Sequence, residues 1–523
     1  MQVIQKLILC TLLFTPGFSA ANLEGVGSVT FETSATGEAQ AHFLRGVATL
    51  HSFGWQQAAQ AFQAAQQADP GFAMAYWGES LCYNHPLITE WDLKTPQSVL
   101  MKLGSTREAR LAAAPTDRER GYIDAVDALF FGEGDYPARR SAYMHKMADL
   151  YTRYPDDDEV AAFYALSLMS AAGPAGGDSM RLNIKAGAIA IELFYRHPDH
   201  PGAAHYTIHA FDDPIHAPLA LPAARKFASI APAVSHARHM PTHIFIQQGM
   251  WREVSDNNQS AYDAAVALWT PGSFTGDMAH ALDWGQYGDL QLGDFARAQM
   301  WIDKAKTMAE QNPKQANLAE APGNLQARYV VEAAAWEVTE IQENSTATQI
   351  FASGASAVHL GQTAQVEKAI ASLKVKASAE VKDTSYYSRT ITPVKIMHQE
   401  LMGLLALKKG QTEDALTHLD TAVDLAESMR PPNGAANPIK PPHELKGEVL
   451  VSLGRYQDAM PVLEKSLQRT PRRPLSLLAL ARAHAGLGNS AQAQRYYREL
   501  LDAREQRDLP DTREARVYLQ ARG

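Results

Sequence analysis

The sequence predicts an all-α protein built as a right-handed superhelical stack of helical hairpins. Three observations carry that prediction. Across the 523 residues, alanine and leucine dominate and apolar positions recur at spacings of three and four, while strand-like alternation is scarce. Helix-start signals are frequent: Ser105 with Glu108 and Thr116 with Glu119 both match the capping box, in which two side chains satisfy free amides of a first turn. Toward the C-terminus, Leu453-Gly454-Arg455-Tyr456 is echoed by Leu487-Gly488-Asn489 34 residues later, the period of a two-helix repeat.

Taken in chain order, residues 1–21 read as a secretory signal. Lys6 precedes the apolar run LILCTLLF, too short to span a bilayer, and Ser19-Ala20-Ala21 offers small residues for cleavage after Ala21. Export to the periplasm or out of the cell is therefore expected, with no membrane span left after cleavage. Cys10 lies within the apolar run, so only Cys82 would remain, which excludes an internal disulfide and a thiolate metal cage. Residues 22–38 are small and polar and read as a linker. Residues 39–310 read as N-terminal helical repeats, 311–385 as degenerate repeats and 386–523 as C-terminal repeats.

In the last block Gly454 is followed by Tyr456, Ala459, Leu463 and Pro471. The same pattern is read at Gly54, with Trp55, Ala58, Phe62 and Pro70. Glycine allows the tight turn, alanine lets two helices approach, and proline ends the second. Gly410 precedes Gly454 by 44 residues, the excess falling on the insert PPNGAANPIKPP. The pattern resembles the tetratricopeptide repeat. Such a stack leaves a concave face, which implies a protein or peptide partner or a small ligand. A net charge of −9 without a basic stripe argues against nucleic acid.

Chemistry concentrates in one stretch. Eight of the 18 histidines fall between His197 and His243. Pro201 opens a helix expected to run over 201–213. On its wheel His205, His209 and Asp212 lie at about 0, 40 and −20 degrees, one stripe able to offer two imidazoles and a carboxylate to a divalent transition metal. His239 and His243 form a second pair at the same spacing, with Pro241 opening a helix, Met240 extended and His239 just outside. His236 stands on the loop before them, and His280, three residues before Asp283, starts the next hairpin. First helices of adjacent units line the concave face, so residues near 205, 240 and 280 are expected to meet there. The metal candidates are thus His205, His209, Asp212, His236, His239, His243 and His280, for zinc, iron or copper. His197 and His200, each before a proline, read as cap or turn residues, and His216, before Ala-Pro, as a lesser ligand candidate. A metal-free, hydrogen-bonded histidine cluster is the alternative.

Other features are quieter. HExxH, GxSxG, phosphate-binding and dinucleotide fingerprints are absent. Tyr76 and Trp77 read as core, with Glu79 and His85 toward the concave side. Asp156 to Glu159 read as an acidic helix start, and Arg472 and Arg473 as solvated.

HPGAAHYTIHAFDDP and HARHMPTHIF together resemble signatures of a large group of mostly bacterial, secreted tetratricopeptide-like proteins. FGWQQAAQAFQAAQQADPGFAMAYWGESLCYNHPL and PPHELKGEVLVSLGRYQDAMPVLEKSLQRTPRRP extend the resemblance across nearly the whole mature chain. It implies a shared site at His205, His209, Asp212, His236, His239 and His243. Trp55 stands where that group often has histidine. Three functions stay open: a metal-holding binding scaffold, a metal-dependent oxygenase or hydrolase, and a purely structural interaction scaffold.

Overall fold

The computed structural model describes residues 21–87, 92–173, 176–270, 276–378 and 391–521. The signal segment, with Cys10, lies outside them apart from Ala21. Among the described residues there are 26 α-helices, one short 3-10 turn and one two-stranded antiparallel hairpin, Ala21–Leu23 with Gly27–Val29. Sequential helices pack as hairpins, among them Gly37–His51 on Trp55–Ala68, Trp251–Leu268 on Gly276–Leu292 and Thr392–Lys408 on Thr412–Glu427. The protein is an all-α, tetratricopeptide-like stack.

The helices form where the sequence supplies apolar stripes and caps. Thr116 and Glu119 make the expected capping box. The one expected at Ser105 does not form: Thr106 is the cap, its side chain accepting from the Ala109 amide. The repeat aromatic Phe62 is fully buried between Gly46 and Gly78, where an added Cβ would stand 2.7 and 2.3 Å from its ring. Only hydrogen at both positions lets the helices close on that ring.

The turn glycines do what the repeat pattern requires. Gly249, Gly293, Gly410, Gly454 and Gly488 all have φ between +60 and +77, the left-handed conformation that ends a helix. The first repeat differs. There the left-handed residue is Phe53, at φ 55, and Gly54 is the ordinary residue after it, at φ −78. The true counterpart of Gly454 is therefore Phe53, one position earlier than the sequence alignment placed it. A phenylalanine held in this region costs about 1 kcal/mol or more, and its ring faces the histidines.

Residues 22–38 are not a loose linker. Val26, Val29 and Phe31 are buried, and Phe31 meets Phe43, Tyr122 and Trp77 at ring separations of 5.1, 5.0 and 5.8 Å. The Ser28 amide donates to the Asp199 carbonyl and the Ala233 amide to the Gly25 carbonyl, at 3.0 and 2.9 Å. The arm is thereby stitched to both ends of the histidine-rich stretch.

The stack also folds back on itself. One apolar core runs from Val26 to Ala515, joining the first and last blocks. Arg473 is not solvated but fully buried, pairing with Glu332 and Glu444, both at 2.7 Å, and donating to the Tyr287 hydroxyl at 3.1 Å. Arg504 donates to the carbonyls of Leu290 and Gln291 at 2.9 and 3.0 Å. The proline-rich insert lies across the middle of the chain: Gln247 donates to the Pro432 carbonyl at 3.1 Å, and an added Cβ on Gly434 would stand 2.5 Å from the Trp284 indole. Among the described residues no helix is long and apolar enough to cross a membrane.

Candidate metal centre

His205 and His209 project from the helix Pro201–Ala210. Its start is set by Pro201 and by His200, whose ring accepts from the Ala203 amide. The helix ends at Ala210, short of the expected 213, so Asp212 leaves the stripe of His205 and His209. Its Oδ2 instead accepts from His243 Nδ1 at 2.7 Å and from the Asn433 amide at 3.3 Å. His236 and His239 sit on the short helix Ser235–His239, not on a loop, and His243 on Pro241–Gln247. Met240 joins these helices in helical rather than extended geometry, φ −53 and ψ −35. This tight junction turns His239 and His243 toward each other. His280 comes from Gly276–Leu292.

These elements bring the six imidazoles into two neighbouring triads, His205/His209/His236 and His239/His243/His280. Within each, ligand-capable atoms lie within 4.8 Å of one another. The Nε2 atoms of His205 and His236 are 3.2 Å apart, those of His239 and His243 3.3 Å. His205 and His239 are almost fully buried, and His280 presents an exposed edge.

The outward nitrogens fix the tautomers. His205 Nδ1 lies 2.6 Å from the His51 carbonyl, which can only accept. His239 Nδ1 lies 2.7 Å from Asn258 Oδ1, and the Asn258 amide nitrogen donates to the Val254 carbonyl, so its oxygen faces the ring. His243 Nδ1 faces the Asp212 carboxylate. All three carry their proton on Nδ1. In the neutral ring each Nε2 is then a bare lone pair. Two such lone pairs, on His239 and His243, face each other at 3.3 Å. His209 Nε2 and Asp212 Oδ1 are buried without a hydrogen-bond partner among the described residues. Ligating histidines held by acceptors on the far nitrogen have this arrangement.

Burial favours the neutral form of four of these rings. It pushes His205, His209, His236 and His239 well below the ordinary histidine value, and repulsion from neighbouring imidazoles adds to the shift. His280, exposed at its edge, is lowered too, by the part of the ring that is desolvated and then by His243. Neutral imidazole is the form that binds metal.

Aromatic walls enclose the six rings. Phe53 lies 4.4 Å from His205 and 5.4 Å from His236, Trp284 4.5 Å from His243 and 5.0 Å from His239. Phe53 and Trp55 also line an apolar cavity with Leu50, Tyr143 and Phe163. His85 packs on Phe53 and Trp55 at 5.0 and 5.4 Å and is lowered to about 3, by burial and then Arg140.

A third cluster, which sequence reading missed, lies behind the first: His51, Glu159 and His200, all buried. Glu159 Oε2 is 2.8 Å from His51 Nε2, and Oε1 is 3.3 Å from His200 Nε2. Tyr206 OH is 2.8 Å from His51 Nδ1. Every nitrogen here is already hydrogen-bonded, so this trio braces the His51 carbonyl that orients His205. His197 and His216 pair with Asp158 and Asp213, each at 2.8 Å, as turn residues. Glu79 does not line a concave face: it is buried and hydrogen-bonded to Gln63, Gln66 and Tyr83.

Comparison with known proteins agrees with the architecture. Tetratricopeptide-repeat profiles match residues 401–474 and 450–516. No curated protein matches the chain. Among solved structures it is similar to human IFIT1 with m7Gppp-AAAA, at 12% identity and a TM-score of 0.34 over 90% of this chain and 91% of that one. It is also similar to yeast Tom70, at 14% identity and a TM-score of 0.29 over 92% and 96%. The chain is an all-α helical stack whose residues 401–516 match the tetratricopeptide repeat and whose middle carries a histidine-lined centre.

Proposed function

We propose that this protein is an exported binding scaffold that holds a divalent transition metal through His205, His209, His236, His239, His243 and His280, and offers it to a partner or small ligand. Asp212 serves by orienting His243. One observation carries the reading: His239 and His243 both have Nδ1 committed as a donor, and their bare Nε2 lone pairs face each other at 3.3 Å. A buried polar atom without a partner costs about 1–3 kcal/mol. A cation between the two rings turns that cost into bonds of about 2.0–2.1 Å.

A second reading, a metal-dependent enzyme, is favoured by the apolar cavity lined by Phe53 and Trp55, because Phe53 also walls the first triad. The first experiment is elemental analysis of the purified protein beside the His205→Ala/His243→Ala double variant. Metal bound stoichiometrically and lost in the variant supports the reading. Its absence from both, even after reconstitution with zinc, iron, copper and manganese, leaves a hydrogen-bonded histidine cluster on an interaction scaffold.

A further inference from the structure

The two triads are built alike. His205 and His209 recur as His239 and His243 exactly one repeat period, 34 residues, later, and each pair takes its third ring from a following helix, His236 or His280. Ring centroids within the triads are 4.5 to 6.4 Å apart. Across the divide, His209 stands 5.9 Å from His243 and His236 6.3 Å from His239. The nearest rings across the divide are no farther apart than rings within a triad, so the six form one continuous shell. Ions seated in both halves would be neighbours at the spacing of bridged two-metal centres, about 3.5–4 Å.

The donor set narrows the metal. Each triad is made of imidazoles alone, with no thiolate or carboxylate among them, and the neighbouring Asp212 uses Oδ2 to hold His243 Nδ1. Imidazole suits zinc, copper, iron and nickel, and copper heads the affinity order. The shell is neutral and mostly buried, and concentrated positive charge is costly there. Of those four metals, copper is the one with an accessible monovalent state that halves the charge. Three ligands per ion leave a coordination position open toward the other ion. With no protein carboxylate in the shell to bridge them, the bridge must come from solution.

We propose that the six histidines form a single dinuclear copper centre, one ion per triad, with an open position between the ions for a small bridging ligand of the size of hydroxide. The proposal rests on the metal reading above, and its test separates the two. The full-length protein is loaded with copper(I) under anaerobic conditions, freed of excess and oxidised with ferricyanide. Copper is then counted by elemental analysis, and copper(II) spins by electron paramagnetic resonance. The expected result is two coppers per chain with a spin signal far below the copper content, because a bridged pair of copper(II) ions couples to a silent ground state. His280→Ala, at the exposed ring, should keep one copper and show one full spin. His236→Ala should do the same from the other side, with circular dichroism confirming that both variants are folded. Two coppers with two full spins, or a single copper in the wild type, overturns the dinuclear centre and leaves the metal reading standing. No bound metal of any kind overturns both.

Discussion

Glu159 is the buried group whose removal should be felt most clearly, because its two hydrogen-bonding rings differ in their freedom to adapt. Its carboxylate is fully buried and lies within hydrogen-bonding distance of His51 Nε2 and His200 Nε2. Burial pushes the carboxyl up, but His51 and His200 more than offset that and hold it at about 2. Burial also lowers His51, against the pull of Glu159. The geometry decides between the two: the ionised carboxylate accepts from both rings. Glu159→Ala strands two buried N–H groups at about 1–3 kcal/mol each, so a loss of about 4 kcal/mol is expected. Glu159→Gln should cost only about 1 kcal/mol. His200 Nδ1 already accepts from the Ala203 amide, so its Nε2 must keep the proton and donate to the glutamine oxygen. His51 can move its proton to Nδ1, donate to Tyr206, and accept from the glutamine amide. Urea denaturation of both variants measures the difference. Equal losses for Ala and Gln, or less than about 1.5 kcal/mol for Ala, would refute the account. The stabilisation by the ionised carboxylate is present above the ordinary glutamate value near 4.5 and is lost as pH falls from there toward 2.

Three further outcomes are expected. In the metal-free protein, His85, His205 and His239 stay neutral when buried while their unfolded counterparts titrate near 6.5; stability should be flat above that pH and these three alone should lower it by about 4 kcal/mol at pH 5.5, with His209 and His236 adding to the loss, so equal urea midpoints at pH 7.5 and 5.5 would contradict neutral burial. Asn258→Ala frees the His239 tautomer and should weaken metal binding about 10- to 100-fold in a chelator competition; unchanged affinity would remove Asn258 from the site. Arg473→Ala leaves Glu332 buried without its cation and Glu444 with Lys440 alone, and should cost about 3–5 kcal/mol by chemical denaturation, whereas a solvated arginine would cost almost nothing.

Much of this was legible in the sequence because it is local. Period and caps give the helices, and i, i+4 spacing gives the two histidine pairs. The errors also have local causes. A helix over 201–213 puts Asp212 on the stripe of His205 and His209, whereas the helix ends at Ala210. Phe53 was overlooked at the turn because Gly54, the permissive residue, stands beside it. What pattern could not reach is pairing across distance. Nothing in Asp158-Glu159 distinguishes a surface cap from a carboxylate buried under His51, 108 residues away. Arg473 looks like any arginine after a repeat proline until Glu332 and Glu444 close around it. A glutamate two places after the N-cap Asp157, heading a helix whose remaining residues 160–172 are apolar or small, was the available hint for Glu159.

The contact between Asp212 and Asn433 joins residues 221 positions apart, and this orders the assembly of the molecule in time. Helical hairpins form from neighbours in sequence and form fast, while a closure across so long a loop is slow. The six imidazoles all lie between residues 205 and 280, so their shell can be built before the C-terminal hairpins dock. During that interval it is open on the side that residues 432–434 later cover. Assembly of the histidine shell and its covering by residues 432–434 are thus separate steps, the local one first and the long-range one after it.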